Sequence, residues 1–233
     1  METVIQGMRD SSLVGQLIVY LLVGASVLSW GVILYKARWF RKSERDVLKF
    51  RNQFDHLGGN LDALHEQTVA WKDNPAATLF QACYREIHLL APREANVAVI
   101  RGEVIEGVER ASDRSISETE MQLEKGLSLL TMTSSTCPLL GLLGTVWGIL
   151  EVFQAIDRSS APSIGEIAPG ISAALITTVF GLIAAIPAAA AYNLFLVRLN
   201  RMLSSLENLA GQISNILVRH QIRQTRTKAE PRR

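Results

Sequence analysis

The residues of this chain best placed to handle a proton in an apolar setting are hydroxyls rather than acids. Thr131, Ser135 and Thr145 lie in one uncharged stretch, and Thr177 and Thr178 in another; no Asp, Glu, Lys or Arg falls between Gly126 and Leu150 or between Ile167 and Val197. A threonine hydroxyl donates one hydrogen bond and accepts two, so it can hold a proton in place without itself charging. Taking up and releasing protons at depth ordinarily requires an ionisable side chain. The nearest acids, Glu151 and Glu166, sit at the outer ends of these stretches. Glu151 reads most simply as a solvated interfacial acid, with a secondary polar contact at the mouth as the other reading. If this chain conducts protons, the titrating carboxylate belongs to a partner.

Other chemistries find little support. Cys83 and Cys137 are isolated from each other and from ligand-like spacing, so free thiols and no metal are expected. No Gly-x-x-x-x-Gly-Lys-Ser/Thr loop is present, which removes ATP as the energy source. No cofactor and no catalytic residue is expected.

The hydroxyls come with small residues. Thr131, Ser135, Pro138, Leu142 and Thr145 recur three or four apart and share one helical face, as do Ala174, Thr178, Gly181, Ala185 and Tyr192. Gly141, Gly144, Gly148 and Gly170 add to this, and Pro187 interrupts the second stretch. Small residues let helix backbones approach, and serine and threonine often satisfy themselves on their own helix. Tight packing is the first reading of such faces and a narrow pore lining the second; periodicity leaves both open.

The elements that must position these residues follow from the distribution of charge. The chain has 233 residues, 48% hydrophobic and 20% charged, net +2. A third uncharged run lies between Leu13 and Tyr35. Each of the three exceeds the roughly 18–20 residues that cross a bilayer as a helix. This pattern excludes a soluble enzyme, a disordered chain and a secreted disulfide scaffold. The fold class is an all-α membrane protein with three transmembrane helices, at 13–35, 126–156 and 167–197. Between them lie a cytoplasmic helical domain at 36–125 and an outer loop at 157–166; residues 1–12 precede the first helix outside and a basic tail, 198–233, follows the third inside.

Orientation comes from the basic residues. Lys36, Arg38, Arg41, Lys42 and Arg45 follow the first run, Arg198 and Arg201 follow the third, and the loop between the second and third holds only Arg158. Such residues stay on the cytoplasmic side. Split this way, the outer segments carry −3, the 36–125 block −1 and the tail +6. A cleaved signal peptide fits poorly, because Met1-Glu2-Thr3 is acidic and the apolar run is long. The tail residues Arg219, Arg223, Arg226, Lys228, Arg232 and Arg233 suit a topology determinant or attraction to anionic lipid. They lack the aromatic interleaving of a nucleic-acid binder.

Within 36–125, apolar residues three and four apart predict helices over 36–57 and 93–125. Gly58-Gly59-Asn60 reads as a break, Asn74-Pro75 as a cap and first helical position, and Leu89-Leu90-Ala91-Pro92 as a turn. The stripe Val97, Ile100, Val104, Ile105, Val108 predicts a neighbouring helix. No breaker is apparent before the second span, so 93–125 is expected to run into it as one long helix. The 31 residues of 167–197 would rise ~46 Å as a helix, more than a ~30 Å hydrocarbon core. That helix must tilt, kink at Pro187 or continue past the membrane. The first span, with Leu, Val, Ile and one Trp30-Gly31 pair, reads as a lipid-facing anchor.

Two motifs carry a resemblance. Gly141-Leu-Leu-Gly-Thr-Val-Trp-Gly-Ile149 and Ala168-Pro-Gly-Ile-Ser-Ala-Ala-Leu-Ile-Thr-Thr-Val-Phe-Gly-Leu182, continued by Ala185-Ile-Pro-Ala-Ala-Ala-Ala-Tyr-Asn193, resemble the MotA/TolQ/ExbB family. The three-span plan is most similar to its TolQ and ExbB branch. The resemblance implies a homopentamer in the bacterial inner membrane around the helices of an ExbD/TolR-like partner dimer. That partner supplies the carboxylate, and a TonB/TolA-like protein is a further partner. It also implies that Thr145 and Thr178 line the proton path, and that Gly141, Gly144, Gly148, Gly170, Ala174, Gly181, Ala185 and Pro187 serve helix packing and admit the partner helix. Thr131, Ser135, Thr177 and Glu151 are secondary polar candidates. Many such sequences carry a glutamate where this chain has Ala173, so either the partner carboxylate suffices or a hydroxyl such as Ser172 or Thr177 takes over part of its hydrogen bonding. The implied function is a proton-driven stator; a non-conducting scaffold, or the same motor serving surface motility, are the alternatives.

Overall fold

The computed structural model describes residues 13–57, 60–71, 73–90, 99–157 and 164–229. Among them there are six helices and no strand: α1 (Leu13–His56), α2 (Leu61–Thr68), α3 (Pro75–Leu90), α4 (Val99–Glu124), α5 (Leu127–Asp157) and α6 (Ile164–Ala229). Three stretches, Leu13–His56, Leu127–Asp157 and Ile167–Arg219, are long and apolar enough to cross a membrane. The chain divides into two compact units, one of Met1–Ala37 and Gly126–Leu196, the other of Arg38–Lys125 and Val197–Arg233.

The first unit packs one stripe of α1 on α5 and α6. Ile18 and Leu22 are buried with Cys137, Ala184 and Ala185, and Ala25, Leu140 and Phe180 close the edge. The first span is therefore not lipid-facing all round. Its buried stripe fits against alanines, whose small side chains let α1 approach, while Leu17, Tyr20, Leu21, Val27 and Leu28 on its other faces stay exposed. Ala185, placed by spacing on the threonine face, is taken up here by α1.

The second unit is built around aromatic rings. Phe50 of α1 stands 5.8 Å from Phe80 of α3 and 6.4 Å from Trp71, centroid to centroid. Buried Leu64, Leu79, Phe80 and Cys83 continue this core. The Cys83 Sγ lies 3.1 Å from the Ser112 Oγ on α4, and Val108 and Ala111 of the same helix are buried. The expected stripe on this helix thus meets α3 at its Val108 end; Val97 and the Ile100 side chain lie outside the described residues. Along the α6 segment of this unit, Leu199, Met202, Leu206, Leu209 and Ile213 are buried at spacings of three and four.

Caps set the short helices. Asn60 accepts from the Ala63 amide at 3.2 Å to start α2. The Asn74 Oδ1 accepts from the amides of Ala76 at 2.9 Å and Ala77 at 3.3 Å, and Pro75 is the first residue of α3, so that signal reads correctly. The Asn74 Nδ2 also donates to the Asp46 carbonyl at 2.6 Å, tying the cap to α1. Gly58, Gly59 and the Ala91-Pro92 turn lie outside the described residues.

One expectation fails. The helix over 93–125 does not run on into the second span: α4 ends at Glu124, Gly126 takes φ +84°, and α5 starts at Leu127. A glycine just past a helix end in the left-handed region is a common stop, since no Cβ opposes it. The third span takes the continuing course, since α6 carries Pro169 and Pro187 inside one helix of 66 residues.

Candidate functional site

The contact of α5 with α6, all within the first unit, gathers most of the residues singled out by spacing. A Cβ built on Gly141 would stand 3.0 Å from both the Thr177 carbonyl oxygen and the Thr178 Cα; one on Gly181 would stand 2.6 Å from the Cys137 carbonyl oxygen and 3.2 Å from the Gly141 Cα. The two backbones touch there with no side chain between them. One turn on, Gly144 faces Thr177, and Gly148 faces Ala174, whose Cβ would lie 2.7 Å from an added methyl. Gly170 stands against Val152 in the same way, at 2.6 Å. Small size at Gly141, Gly144, Gly148, Ala174 and Gly181 is thus used inside the chain, between its own helices.

The close approach brings three threonines onto two carbonyls. Thr145 and Thr178 share a hydrogen bond across the contact. The Thr145 hydroxyl also reaches the carbonyls of Gly141 at 3.1 Å and Ala174 at 3.2 Å. The Thr178 hydroxyl reaches the Gly141 carbonyl at 3.2 Å. Thr177 reaches the Gly141 carbonyl at 3.0 Å and the Ala174 carbonyl at 2.7 Å. Thr177 is only 2% exposed, and Thr145 and Thr178 are half-buried. All three hydroxyls bridge the helices, and those of Thr145 and Thr177 also back-bond along their own.

The remaining candidates are elsewhere. Thr131 and Ser135 are exposed, with Thr131 donating to the Leu127 carbonyl at 3.4 Å and Ser135 to that of Thr131 at 3.0 Å. They back-bond along α5 as hydroxyls in apolar helices commonly do, and the structure does not bring them to the Thr145–Thr178 pair. Glu151 accepts from the Trp147 indole at 2.7 Å, one turn back on α5. Pro187 is half-buried in α6, Ala173 is buried, and the Glu166 side chain lies outside the described residues. What spacing missed is the Gly141 carbonyl, on which all three threonines converge. A carbonyl carries no sequence signal; the pairing of Gly144 with a threonine on the opposite helix is the only trace it leaves. No cluster of His, Cys, Asp or Glu able to hold a metal occurs among the described residues.

Long apolar helices joined by a glycine-lined, hydroxyl-rich contact that holds no charged residue define a multi-pass helical membrane protein. The profile of the MotA/TolQ/ExbB proton channel family matches residues 72–208, which include the whole of this contact. The Tol-Pal system protein TolQ of Pseudomonas aeruginosa is 35% identical over 212 residues, covering 90% of each chain. TolQ of Haemophilus influenzae is 30% identical, covering 90% of this chain and 91% of its own. The biopolymer transport protein ExbB of Pseudomonas putida is 26% identical over 96% of this chain and 66% of its own. The chain belongs to the MotA/TolQ/ExbB proton channel family.

Proposed function

We propose that this protein is the stator subunit of a proton-driven motor in the bacterial inner membrane, with Thr145 and Thr178 lining the proton path. The observation that carries the reading is the Thr145–Thr178 hydrogen bond, set among backbone carbonyls in helical stretches, 126–150 and 167–197, that hold no Asp, Glu, Lys or Arg. Such a site orients a proton but cannot take one up at physiological pH, because a threonine hydroxyl does not titrate. The carboxylate comes from a single-span partner of the ExbD/TolR type, lying against the threonines. Five copies surround the partner helices, with the N-terminus outside, residues 36–125 and 198–233 in the cytoplasm and 157–166 facing outward. A TonB/TolA-like protein carries the motion onward, and the bilayer is the remaining contact. One elementary charge crossing 100 mV releases about 2.3 kcal/mol, so several protons suffice for a forceful cycle. The likeness to Tol-Pal proteins supports envelope maintenance as the task, ahead of uptake or surface motility.

Thr178→Val tests the reading. In cells lacking their own copy, the variant is expected to assemble normally yet fail to restore envelope integrity, measured as survival in detergent. Full restoration would remove Thr178 from the proton path. Collapsing the proton gradient separates a motor from a scaffold: the motor's output stops, whereas a scaffold keeps its partner bound and its function intact.

A further inference from the structure

Two helices of the second unit each carry charge of one sign along one face. On α1, Arg38, Arg41, Lys42, Arg45 and Lys49 are exposed, and at ~100° per residue they fall within an arc of roughly 100° that holds no acid. On α4, Glu106, Glu109, Asp113, Glu120 and Glu124 fall within an arc of roughly 60° that holds no base; Glu120 is half-buried and the others exposed. The two stripes do not neutralise each other within one chain. α1 and α4 meet around a cavity of about 340 Å³, lined by Trp39 and Ser43 of the first and Ser115, Thr119 and Gln122 of the second. The acidic stripe lies roughly 150° around α4 from that side. Among the described residues, Glu109, Asp113, Glu120 and Glu124 have no cation within 4.0 Å, and Arg38, Arg41 and Arg45 no carboxylate. Lys42, at the edge of its stripe, pairs with Asp73 at 3.3 Å, Lys49 with Asp46 at 3.7 Å and Glu106 with Arg110 at 2.8 Å.

We propose that the basic stripe of α1 docks on the acidic stripe of α4 in a second copy of this chain. This rests on the reading of the protein as an assembly of several copies, and adds which faces join them. The contact pairs two different patches, so each copy gives one and receives the other, and repeating it builds a ring. Arg38 lies three residues beyond the first uncharged stretch and Glu124 two before the second, so copies sharing one bilayer hold these ends level. Exposed ion pairs add little affinity singly, at most about fivefold each. Their larger effect is on register and choice of partner, since a misplaced copy brings like charges together.

Three variants of the full chain test this, expressed with the native partner in cells lacking their own copy: Arg41→Glu with Arg45→Glu, Glu109→Lys with Asp113→Lys, and all four changes together. Each is coexpressed with a tagged copy of itself and, separately, with tagged wild type. Membrane level and the share recovered with the tagged chain are measured at low salt. Either reversed pair is expected to recover itself about tenfold less than wild type does, at equal membrane level. The fourfold variant is expected to recover itself within about twofold of wild type, yet to be recovered about tenfold less by tagged wild type. Unchanged recovery in both reversed pairs overturns the proposal, as does failure of the fourfold variant to recover itself at equal membrane level. Free mixing of the fourfold variant with wild type also overturns it, because a contact within one chain leaves mixing unaffected. Loss with the basic pair alone assigns α1 to anionic lipid, and loss with the acidic pair alone assigns α4 to a different protein; each overturns it. Wild type that fails to recover itself removes the reading of several copies and this contact with it. If a reversed pair fails to accumulate, Arg41→Gln with Arg45→Gln, or Glu109→Gln with Asp113→Asn, replaces it; a loss of about threefold is expected, and no loss overturns the proposal.

Discussion

A methyl group added at Gly144 would stand 2.6 Å from the Thr177 hydroxyl oxygen and 2.8 Å from its Cβ, in a contact where the helix backbones already meet one turn away. Gly144→Ala is therefore expected to lower the stability of the first unit by about 1–3 kcal/mol, read from a denaturation midpoint in detergent micelles. Gly102, inside α4, has nothing within 4 Å of an added Cβ. There the same substitution should gain about 0.5–1 kcal/mol through helix propensity. Both are glycines in helices, and only their surroundings set the sign. At this scale the sequence yields the threonines and glycines of the contact but not their division of labour. Thr177 and Thr178 are adjacent and flanked by apolar residues on every side, so periodicity alone does not decide which is buried. The structure buries Thr177 and leaves Thr178 half-exposed beside Thr145.

Helix ends show the same mixture at the next scale. The Asn74-Pro75 start of α3 is legible because a cap and a proline act locally, through the first-turn amides and a fixed φ. The Asn74 side chain carries a second load, its bond to the Asp46 carbonyl. Asn74→Ala should accordingly cost the second unit about 2 kcal/mol, more than a cap alone, and Asn74→Asp should recover part of that by keeping the acceptor. Thermal unfolding of the two variants distinguishes the contributions. The break at Gly126 escapes a reading based on breakers, because a single glycine between charged and apolar residues looks like any helical glycine until its φ is known. Nothing crowds an added Cβ there, the nearest atoms being 3.7 and 3.8 Å away. The cost of Gly126→Ala is therefore conformational, about 1–2 kcal/mol for a left-handed non-glycine residue. Gly126→Asn, which tolerates that region better, should lose less in the same assay.

For the molecule as a whole, three long apolar helices and an all-helical fold follow from charge distribution, a property summed over many residues and robust to local error. The buried stripe of α1 does not follow from it, because a stripe facing alanines has the same composition as one facing lipid. Cys83 offers a report on the second unit as a body. Its thiol is fully buried, and burial pushes its pKa up, more than the Ser112 hydroxyl pulls it down. The folded unit thus holds the thiol proton more tightly than the unfolded chain does. Its contribution is undiminished below the ordinary thiol pKa of about 8.5 and is lost progressively as pH rises above it. Comparing unfolding midpoints at neutral and alkaline pH, the loss should be smaller in Cys83→Ala than in the parent chain. At neutral pH, maleimide should label Cys83 only as fast as the unit opens.

The Gly141–Gly181 contact also governs which genetic repairs exist. At Gly144 and Gly148 the atoms opposite an added methyl belong to the side chains of Thr177 and Ala174, with backbone beyond only at Ala174. A second substitution that trims the facing residue can make room, so suppressors of Gly144→Ala should arise at position 177 as glycine, which removes all three facing atoms, or less fully as alanine, which removes the hydroxyl and keeps the Cβ. At Gly141 and Gly181 the opposing atoms are carbonyl oxygens and α-carbons, which no change of residue type removes. A lesion at Gly144 is reversible by a neighbour, while one at Gly141 should yield true revertants alone from within the chain, and sequencing of spontaneous suppressors would tell the two apart.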